Sequence, residues 1–159
     1  MTPFYDELYA LFRNLHQDIE LALAGLPPEA LDWTPGPEMN SINALVVHLT
    51  GAEKFLSSDV VMGQPSGRDR AAEFQIAGLQ PDELIARLRQ SEAVLRAAFE
   101  QLSLEDLEKE RTDPRDGRTV RPAWALLHAL DHTGMHTGQI QLTSQLWKQR
   151  HLDQPYSVR

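Results

Sequence analysis

Four segments of the sequence carry apolar residues every three or four positions, which is the spacing of one face of an α-helix. Capping residues precede the segments, and glycine or proline interrupts the chain between them. They cover approximately residues 3–24, 41–56, 81–102 and 121–147. No stretch has the apolar–polar alternation of a β-strand. Because each helix must bury its apolar face, the pattern predicts an all-α fold, an antiparallel four-helix bundle.

The connections between these segments differ in length and composition. Residues 31–40 are rich in proline, so they are expected to form a loop, with Trp33 packed on the core. Residues 57–80 are a long connection, of a length that often makes a crossover or carries function. Residues 104–117 are polar and end in a turn.

Length, charge and cysteine content narrow the functional classes. A chain of 159 residues is long enough for a substantial core, and one domain over residues 1–159 is expected. The net charge of −8, without a basic cluster, argues against a nucleic-acid or anionic-membrane partner. There is no cysteine, so any metal ion must be bound by His, Asp or Glu. The absence of a signal sequence and of a long apolar run predicts a cytoplasmic protein with a small-molecule substrate.

Three of the six histidines lie in the last helical segment at intervals of four residues: His128, His132 and His136. Side chains four apart share one helix face, so two neighbours can bind one metal ion. The same spacing occurs in the H-E-x-x-H motif of zinc proteases, but Thr133 stands where that motif has its catalytic glutamate. Peptide hydrolysis by that route is therefore not expected. A helical wheel places His132 and His136 nearer the apolar face than His128.

A third ligand has to come from another helix. His48 lies among apolar residues of the second segment, and in a bundle it could complete a triad with His132 and His136. A lone histidine in such a position is more often a hydrogen-bonded core residue. Glu53 is a candidate fourth ligand or base, and Asp131 a candidate partner of a ligand, although a solvated position is expected for both. His16 is expected to be an ordinary surface or boundary residue.

Two runs of the sequence resemble the DinB/YfiT-like superfamily of bacterial metalloenzymes: WTPGPEMNSINALVVHLTGAE (33–53) and ALLHALDHTGMHTGQI (125–140). The shared pattern is a proline-containing loop, a Ser-Ile helix start, a histidine before leucine, and a distant H-x-x-x-H that ends in a Gly-Gln step. The resemblance implies an up-down-down-up bundle with a long crossover between helices two and three. It also implies a divalent metal ion bound by one histidine of helix two and two of helix four, here His48, His132 and His136.

The resemblance bears on function as well. Members include thiol-dependent isomerases and S-transferases that use low-molecular-weight thiols such as mycothiol or bacillithiol, and homodimers are common among relatives. Three imidazoles leave a divalent ion with open positions, where the pKa of bound water falls to about 7 or a thiol is deprotonated. Zinc or nickel is favoured, with iron or manganese as alternatives. The expected function is a metal-dependent enzyme that activates a low-molecular-weight thiol or water for transfer or hydrolysis on a small electrophile.

Two alternatives are open at this point. The first is a non-catalytic metal- or small-ligand-binding bundle, such as a stress-response accessory protein. A closed coordination sphere, for instance with Glu53 bound, would favour it. The second is a bundle whose histidines have a structural role only.

Overall fold

A computed structural model of the protein describes residues 1–150. Its helices and strands are α1 (Pro3–Leu23), α2 (Pro28–Asp32), α3 (Ile42–Lys54), α4 (Arg70–Glu73), α5 (Pro81–Gln101), β1 (Arg111–Thr112), β2 (Thr119–Val120) and α6 (Pro122–Arg150). A π-helical segment, Phe55–Val61, continues α3, and a 3₁₀ turn, Glu105–Glu108, follows α5. The long helices α1, α3, α5 and α6 correspond to the four predicted segments, so the prediction of an all-α bundle is confirmed. None of the helices within residues 1–150 has the length and apolar content needed to span a membrane.

The four long helices form a ring in which α1 and α3 each contact both α5 and α6. The Tyr5 hydroxyl, near the start of α1, donates to the carbonyl oxygen of Ser103, just after α5, at 2.9 Å. The Ser144 hydroxyl, near the end of α6, donates to the carbonyl oxygen of Ala22, at the end of α1, at 2.8 Å. Helix α1 is therefore antiparallel to α5 and parallel to α6.

The apolar core consists of two clusters at opposite ends of the bundle. One joins the start of α1, the π-helical segment, the end of α5 and the start of α6; it includes Tyr5, Phe12, Phe55, Leu95, Phe99 and Leu126. The other joins the end of α1 and the starts of α3 and α5 to the later part of α6; it includes Ile19, Leu23, Ile42, Leu49, Leu84, Leu88 and Ile140. Helix α3 is thus parallel to α5, and the directions along the chain are up, down, down, up. Residues 62–80 form the long crossover.

The helices begin close to where the sequence predicts because capping groups satisfy their first backbone N–H groups. The Ser41 hydroxyl accepts the N–H of Ala44 at 3.2 Å and so caps α3. At the start of α5, the Glu83 carboxylate accepts the N–H of Gln80 at 2.8 Å. Thr2 precedes α1 as expected, but its side chain makes no capping hydrogen bond.

The connections contain structure that apolar spacing does not predict. The short helix α2 lies mostly before the predicted proline-rich loop and overlaps only its first two residues. Trp33 after it packs against Trp147, with ring centroids 5.6 Å apart. The second predicted helix runs past its expected end as a π-helix, where the Ser57 hydroxyl donates to the carbonyl oxygen of Glu53 at 2.7 Å. Strands β1 and β2 pair antiparallel across a turn in which Gly117 has a φ of 74°. Strands of two residues are too short to show alternation.

Candidate metal centre

Three histidines from two antiparallel helices converge between α3 and α6. They are His48 on α3 and His132 and His136 on α6. The Nε2 atom of His132 lies 3.2 Å from the Nε2 atom of His48 and 3.2 Å from that of His136. His48 and His136 are buried, and His132 is half-buried. The fold thus brings together the three residues that the sequence singled out as ligands.

The other ring nitrogens of His48 and His136 contact side-chain acceptors. His48 Nδ1 lies 2.8 Å from Oε2 of Glu73, and His136 Nδ1 lies 2.7 Å from Oε1 of Gln139. Because these oxygens accept hydrogen bonds, each Nδ1 carries the proton and each Nε2 keeps its lone pair. Acceptors of this kind orient metal-binding histidines in known sites.

The carboxylate of Glu73 is itself fixed by an arginine of the crossover. Arg68 donates from Nε to Oε1 at 2.6 Å and from Nη2 to Oε2 at 2.8 Å, which makes a bidentate pair. Burial raises the pKa of Glu73, but the hydrogen bonds from Arg68 and His48 outweigh it and hold that pKa below its usual value. The crossover therefore supplies the ionised acceptor that orients His48.

The surroundings of His132 and His136 favour their neutral imidazole forms. The pKa of His132 falls to about 3, first because the ring is buried and then because His136, His48 and His128 lie near it. Burial also lowers the pKa of His136, although its hydrogen bond with Gln139 opposes the change. Neutral imidazole is the form that binds metal ions.

The donor set fits a divalent cation. Hydrogen bonds cannot satisfy all three converging nitrogens, since His48 and His136 both offer lone pairs and neutral His132 has one ring proton. Imidazole nitrogens about 2.0–2.1 Å from a tetrahedral zinc ion lie about 3.3–3.4 Å apart. The 3.2 Å that separates His132 Nε2 from Nε2 of His48 and from Nε2 of His136 is close to this value, and the ligand atoms of all three lie within 4.8 Å of one another. Three imidazoles without a thiolate are also the ligands that zinc, nickel, iron and copper accept.

The contact between the crossover and α3 depends on Gly51. A Cβ atom at this position would overlap Oε1 of Glu73 and would lie 3.4 Å from Nε of Arg68. The absence of a side chain therefore makes room for the ion pair that orients His48. A helical glycine costs about 1 kcal/mol relative to alanine, so the close contact accounts for a residue that helix propensity disfavours.

We expect Gly51→Ala to weaken metal binding without changing a histidine, because the added methyl group displaces the Glu73 carboxylate from His48. Changes to such outer hydrogen bonds cost about 10- to 100-fold in metal affinity. Competition for zinc against a chelating dye would measure the effect. The matched control is Gly138→Ala in α6, where a Cβ atom meets nothing within 4 Å. Equal affinities for the two variants would contradict the role given to the Glu73 contact.

A layer of buried polar side chains separates the two apolar clusters. In this polar layer, which consists of His16, Glu53, Ser91 and Thr133, the glutamate receives three hydrogen bonds. Its Oε1 accepts from His16 Nε2 at 3.0 Å and from Thr133 Oγ1 at 2.7 Å, and its Oε2 accepts from Ser91 Oγ. His16 and Glu53 are fully buried, so the expectations of a surface or boundary position for His16 and of a solvated position for Glu53 are wrong. The bundle provides polar partners from three helices, which replace the solvent that a carboxylate requires.

The electrostatics of the polar layer favour a charged imidazole. Burial lowers the pKa of His16, but the charges and hydrogen bonds of Glu53 and Glu92 outweigh it and raise that pKa above its usual value. Glu92 Oε1 lies 3.3 Å from His16 Nδ1, on the other side of the ring from Glu53. Both oxygens of Glu53 are engaged, and Glu53 is not among the groups that converge with the three histidines.

The remaining two candidates lie outside the triad. The His128 ring stacks on Trp124, with centroids 5.0 Å apart and an interplanar angle of 13°. Its centroid lies 6.0 Å from that of His132. Asp131 is exposed and forms no hydrogen bond or ion pair within the described residues, so the structure does not place it against a ligand.

Three side chains that orient the histidines were not predicted from the sequence: Gln139, Glu73 and Arg68. Gln139 follows His136 by three residues, a spacing at which side chains on one helix meet, so the pair was within reach of sequence-based reasoning. Glu73 and Arg68 come from the crossover, whose path no periodicity indicates. The sequence carries no local signal that would have placed them beside His48.

A cavity of about 190 Å³ lies beside the triad. Its wall includes His48, His132, His128, Arg68, Arg70 and Arg115. Drug-sized ligands occupy sites of about 300–1,000 Å³, so this cavity suits a small reactant.

Known proteins of similar sequence or structure were compared with this chain. The profile of the DinB superfamily matches residues 11–140. No curated protein matches the sequence significantly. A conserved protein from Enterococcus faecalis superposes with a TM-score of 0.77 at 17% identity, over 92% of this chain and 98% of the other. A DinB-like protein from Bacillus subtilis does so with a TM-score of 0.68 at 19% identity, over 94% and 96%.

A further solved structure is a mycothiol-dependent maleylpyruvate isomerase. It superposes with a TM-score of 0.65 at 20% identity, over 88% of this chain but only 63% of the isomerase. Identities this low establish a shared fold. The family rests on the profile match, which covers most of the sequence and includes the three converging histidines. This chain therefore belongs to the DinB superfamily.

Proposed function

We propose that the chain is a divalent-metal-dependent enzyme that activates a low-molecular-weight thiol or water against a small electrophile. His48, His132 and His136 are the proposed ligands. The observation that carries the proposal is the convergence of their ring nitrogens within 4.8 Å of one another, with the His48 and His136 lone pairs directed to the shared point. The Enterococcus and Bacillus proteins share the fold, and the isomerase adds a relative of this fold that depends on a thiol.

Each residue of the site has a defined task in this proposal. Glu73 holds the Nδ1 proton of His48, and Gln139 that of His136, so both rings keep one tautomer and one orientation. Arg68 keeps Glu73 ionised. The three histidines would hold a divalent ion at the convergence point, and such an ion would lower the pKa of a water or thiol there, so that a nucleophile would be available at neutral pH. The adjacent cavity holds the electrophile.

The number of protein ligands distinguishes a catalytic metal site from a site that only stores a metal ion. A fourth protein ligand would close the coordination sphere, and Glu53 was the candidate from sequence. Its carboxylate instead binds His16, Ser91 and Thr133. Among the described residues, the converging group contains three histidines and no carboxylate. Catalytic zinc sites have three protein ligands and an exchangeable position, whereas structural sites have four.

The test uses cobalt(II) as a coloured substitute for the native ion. Protein purified without a nickel column should contain about one divalent ion per chain by elemental analysis, as a three-histidine site requires. Addition of 2-mercaptoethanol to the cobalt-substituted protein should produce a sulfur-to-cobalt absorption band. A cobalt spectrum that neither 2-mercaptoethanol nor azide alters would indicate a closed sphere and would favour the non-catalytic metal-binding bundle. Absence of bound metal would refute the proposal.

The identity of the ion and the setting of the protein are also part of the proposal. The imidazole ligands favour zinc or nickel, with iron or manganese as alternatives. We propose that residues 1–159 act as one cytoplasmic domain with a small-molecule substrate, and that the chain forms a homodimer.

The proposed homodimer uses the outward face of α6. Leu127, Met135 and Leu142 are 58%, 54% and 50% exposed and follow one another at two-turn intervals, so they form an apolar stripe. Met135→Glu should convert the dimer into a monomer, which sedimentation velocity would detect. Leu104→Glu is the control, because Leu104 is 51% exposed but lies outside the stripe. A wild-type monomer, or a dimer unaffected by Met135→Glu, would contradict this interface.

A further inference from the structure

We infer that the arginine-lined cavity beside the triad binds a carboxylate group of a reactant, so that the substrate is a small carboxylate-bearing molecule. The inference rests on the proposed function for the chemistry at the site, because the cavity and the triad share His48 and His132. The identity of the ligand is inferred from the charged side chains of the cavity wall.

The three guanidinium groups of the wall are not equally neutralised. Glu73 binds Arg68, and Asp113 binds Arg115 with Nη2 and Oδ2 2.6 Å apart. Arg70 lies over the ring of Phe74 at 5.3 Å and has no carboxylate partner within residues 1–150. In a chain with a net charge of −8, the cavity therefore has an unpaired positive charge beside a centre suited to a cation.

A second observation points to the same kind of ligand. If Nε2 of His132 faces the metal position, its Nδ1 carries the ring proton. That Nδ1 atom is buried and has no hydrogen-bond partner within the described residues. His132 lines the cavity, and Asp131 next to it is exposed and forms no hydrogen bond with the ring within the described residues. The Nδ1 proton is therefore left for an oxygen atom of a bound ligand or of water.

The charge of the metal-free cavity favours a carboxylate over a phosphate. One unpaired guanidinium matches one negative charge, and a planar carboxylate accepts paired hydrogen bonds from arginine. A phosphate monoester carries about −1.5 to −2 at neutral pH, which exceeds the single unpaired charge of the cavity without its ion. The carboxylate group can belong to the electrophile or to the thiol.

Propionate is the probe for the carboxylate site, and its affinity can be measured by NMR titration of the metal-loaded and the metal-free protein. Arg70→Gln should weaken propionate binding by about 10- to 100-fold, the range for loss of a hydrogen bond to a charged group. The matched control is Arg89→Gln, because the Arg89 side chain is 69% exposed on α5 and remote from the cavity wall. Equal affinities in the two variants, or tighter binding of inorganic phosphate than of propionate to the metal-free protein, would overturn the inference.

Two thiols identify which reactant carries the carboxylate. If it belongs to the thiol, Arg70→Gln weakens binding of 3-mercaptopropionate but not of 2-mercaptoethanol, and propionate competes with 3-mercaptopropionate. If it belongs to the electrophile, propionate and 2-mercaptoethanol bind together. Both results support the site.

The two proposals fail separately. If the protein takes up no divalent ion but binds propionate in an Arg70-dependent way, the proposed function is refuted and the carboxylate site remains. A metal-loaded protein whose affinity for propionate is unchanged by Arg70→Gln would refute only the carboxylate site.

Discussion

Replacing His132 by alanine is expected to abolish stoichiometric metal binding. The Nε2 atom of His132 lies 3.2 Å from Nε2 of His48 and 3.2 Å from Nε2 of His136, so its ring is the shared neighbour of the other two rings. Its loss leaves two imidazoles, whose affinity for a divalent ion is far lower. The decrease in metal affinity should be larger than the change of about 10- to 100-fold that is expected when a hydrogen bond to a ligand is lost. Elemental analysis after dialysis would measure it.

His128→Ala is the control for this experiment. His128 lies on the same helix, four residues before His132, but its ring stacks on Trp124 and does not join the converging group. The variant should retain its metal and its thermal unfolding midpoint within a few degrees. If His132→Ala still bound one ion per chain, the triad would not be the metal site.

Replacing Glu53 by alanine should cause the largest loss of stability among single substitutions at the site. Within residues 1–150, the change removes the one side-chain acceptor of Ser91 and Thr133 and leaves His16 with Glu92 as its remaining partner. Breaking a buried charge pair by removal of one partner costs about 3–5 kcal/mol. For a chain of this length that corresponds to an unfolding midpoint about 6–20 °C lower. Urea and thermal unfolding would measure the loss.

Glu100→Ala provides the control for stability. Glu100 pairs with Arg96 on the surface of α5, where both side chains are about half exposed, so its removal should change the free energy of unfolding by about 0.5 kcal/mol or less. A Glu53→Ala variant as stable as Glu100→Ala would show that the polar layer does not stabilise the bundle.

The same interaction should make stability depend on pH. The pKa of His16 in the folded protein lies above its ordinary value of 6.5, so the protonated ring stabilises the fold. This contribution is complete below about pH 6.5 and is lost as the pH rises through the folded pKa. The difference in unfolding free energy between wild type and Glu53→Gln should therefore shrink with rising pH. A difference that stays constant from about pH 5 to 9 would contradict a charged His16.

The sequence was sufficient to predict the four long helices and the triad for physical reasons. Ser41 and the acidic first turn after Pro81 mark helix starts by local chemistry, and His132 and His136 share a helix face by spacing alone. The apolar surroundings of His48 made it only a possible third ligand, and the resemblance to a family selected it, because nothing local relates residues that lie 84 positions apart.

The polar layer and the crossover were beyond the reach of sequence patterns. An isolated carboxylate such as Glu53 is expected in solvent unless its partners are known, and those partners are on three other helices. Glu73 lies in a segment without apolar periodicity, so neither its position beside His48 nor the room that Gly51 provides could be foreseen.

The hydrogen bond from Thr133 to Glu53 has a consequence for the alignment of the bundle. Thr133 follows His132 directly, and Glu53 lies little more than one turn beyond His48. A slide of α6 along α3 by one helical step would unpair a buried carboxylate at the same moment as it separated the imidazoles. The polar layer thus opposes axial sliding of α6 along α3. It keeps the histidines of the two helices at the separation that a shared cation would need.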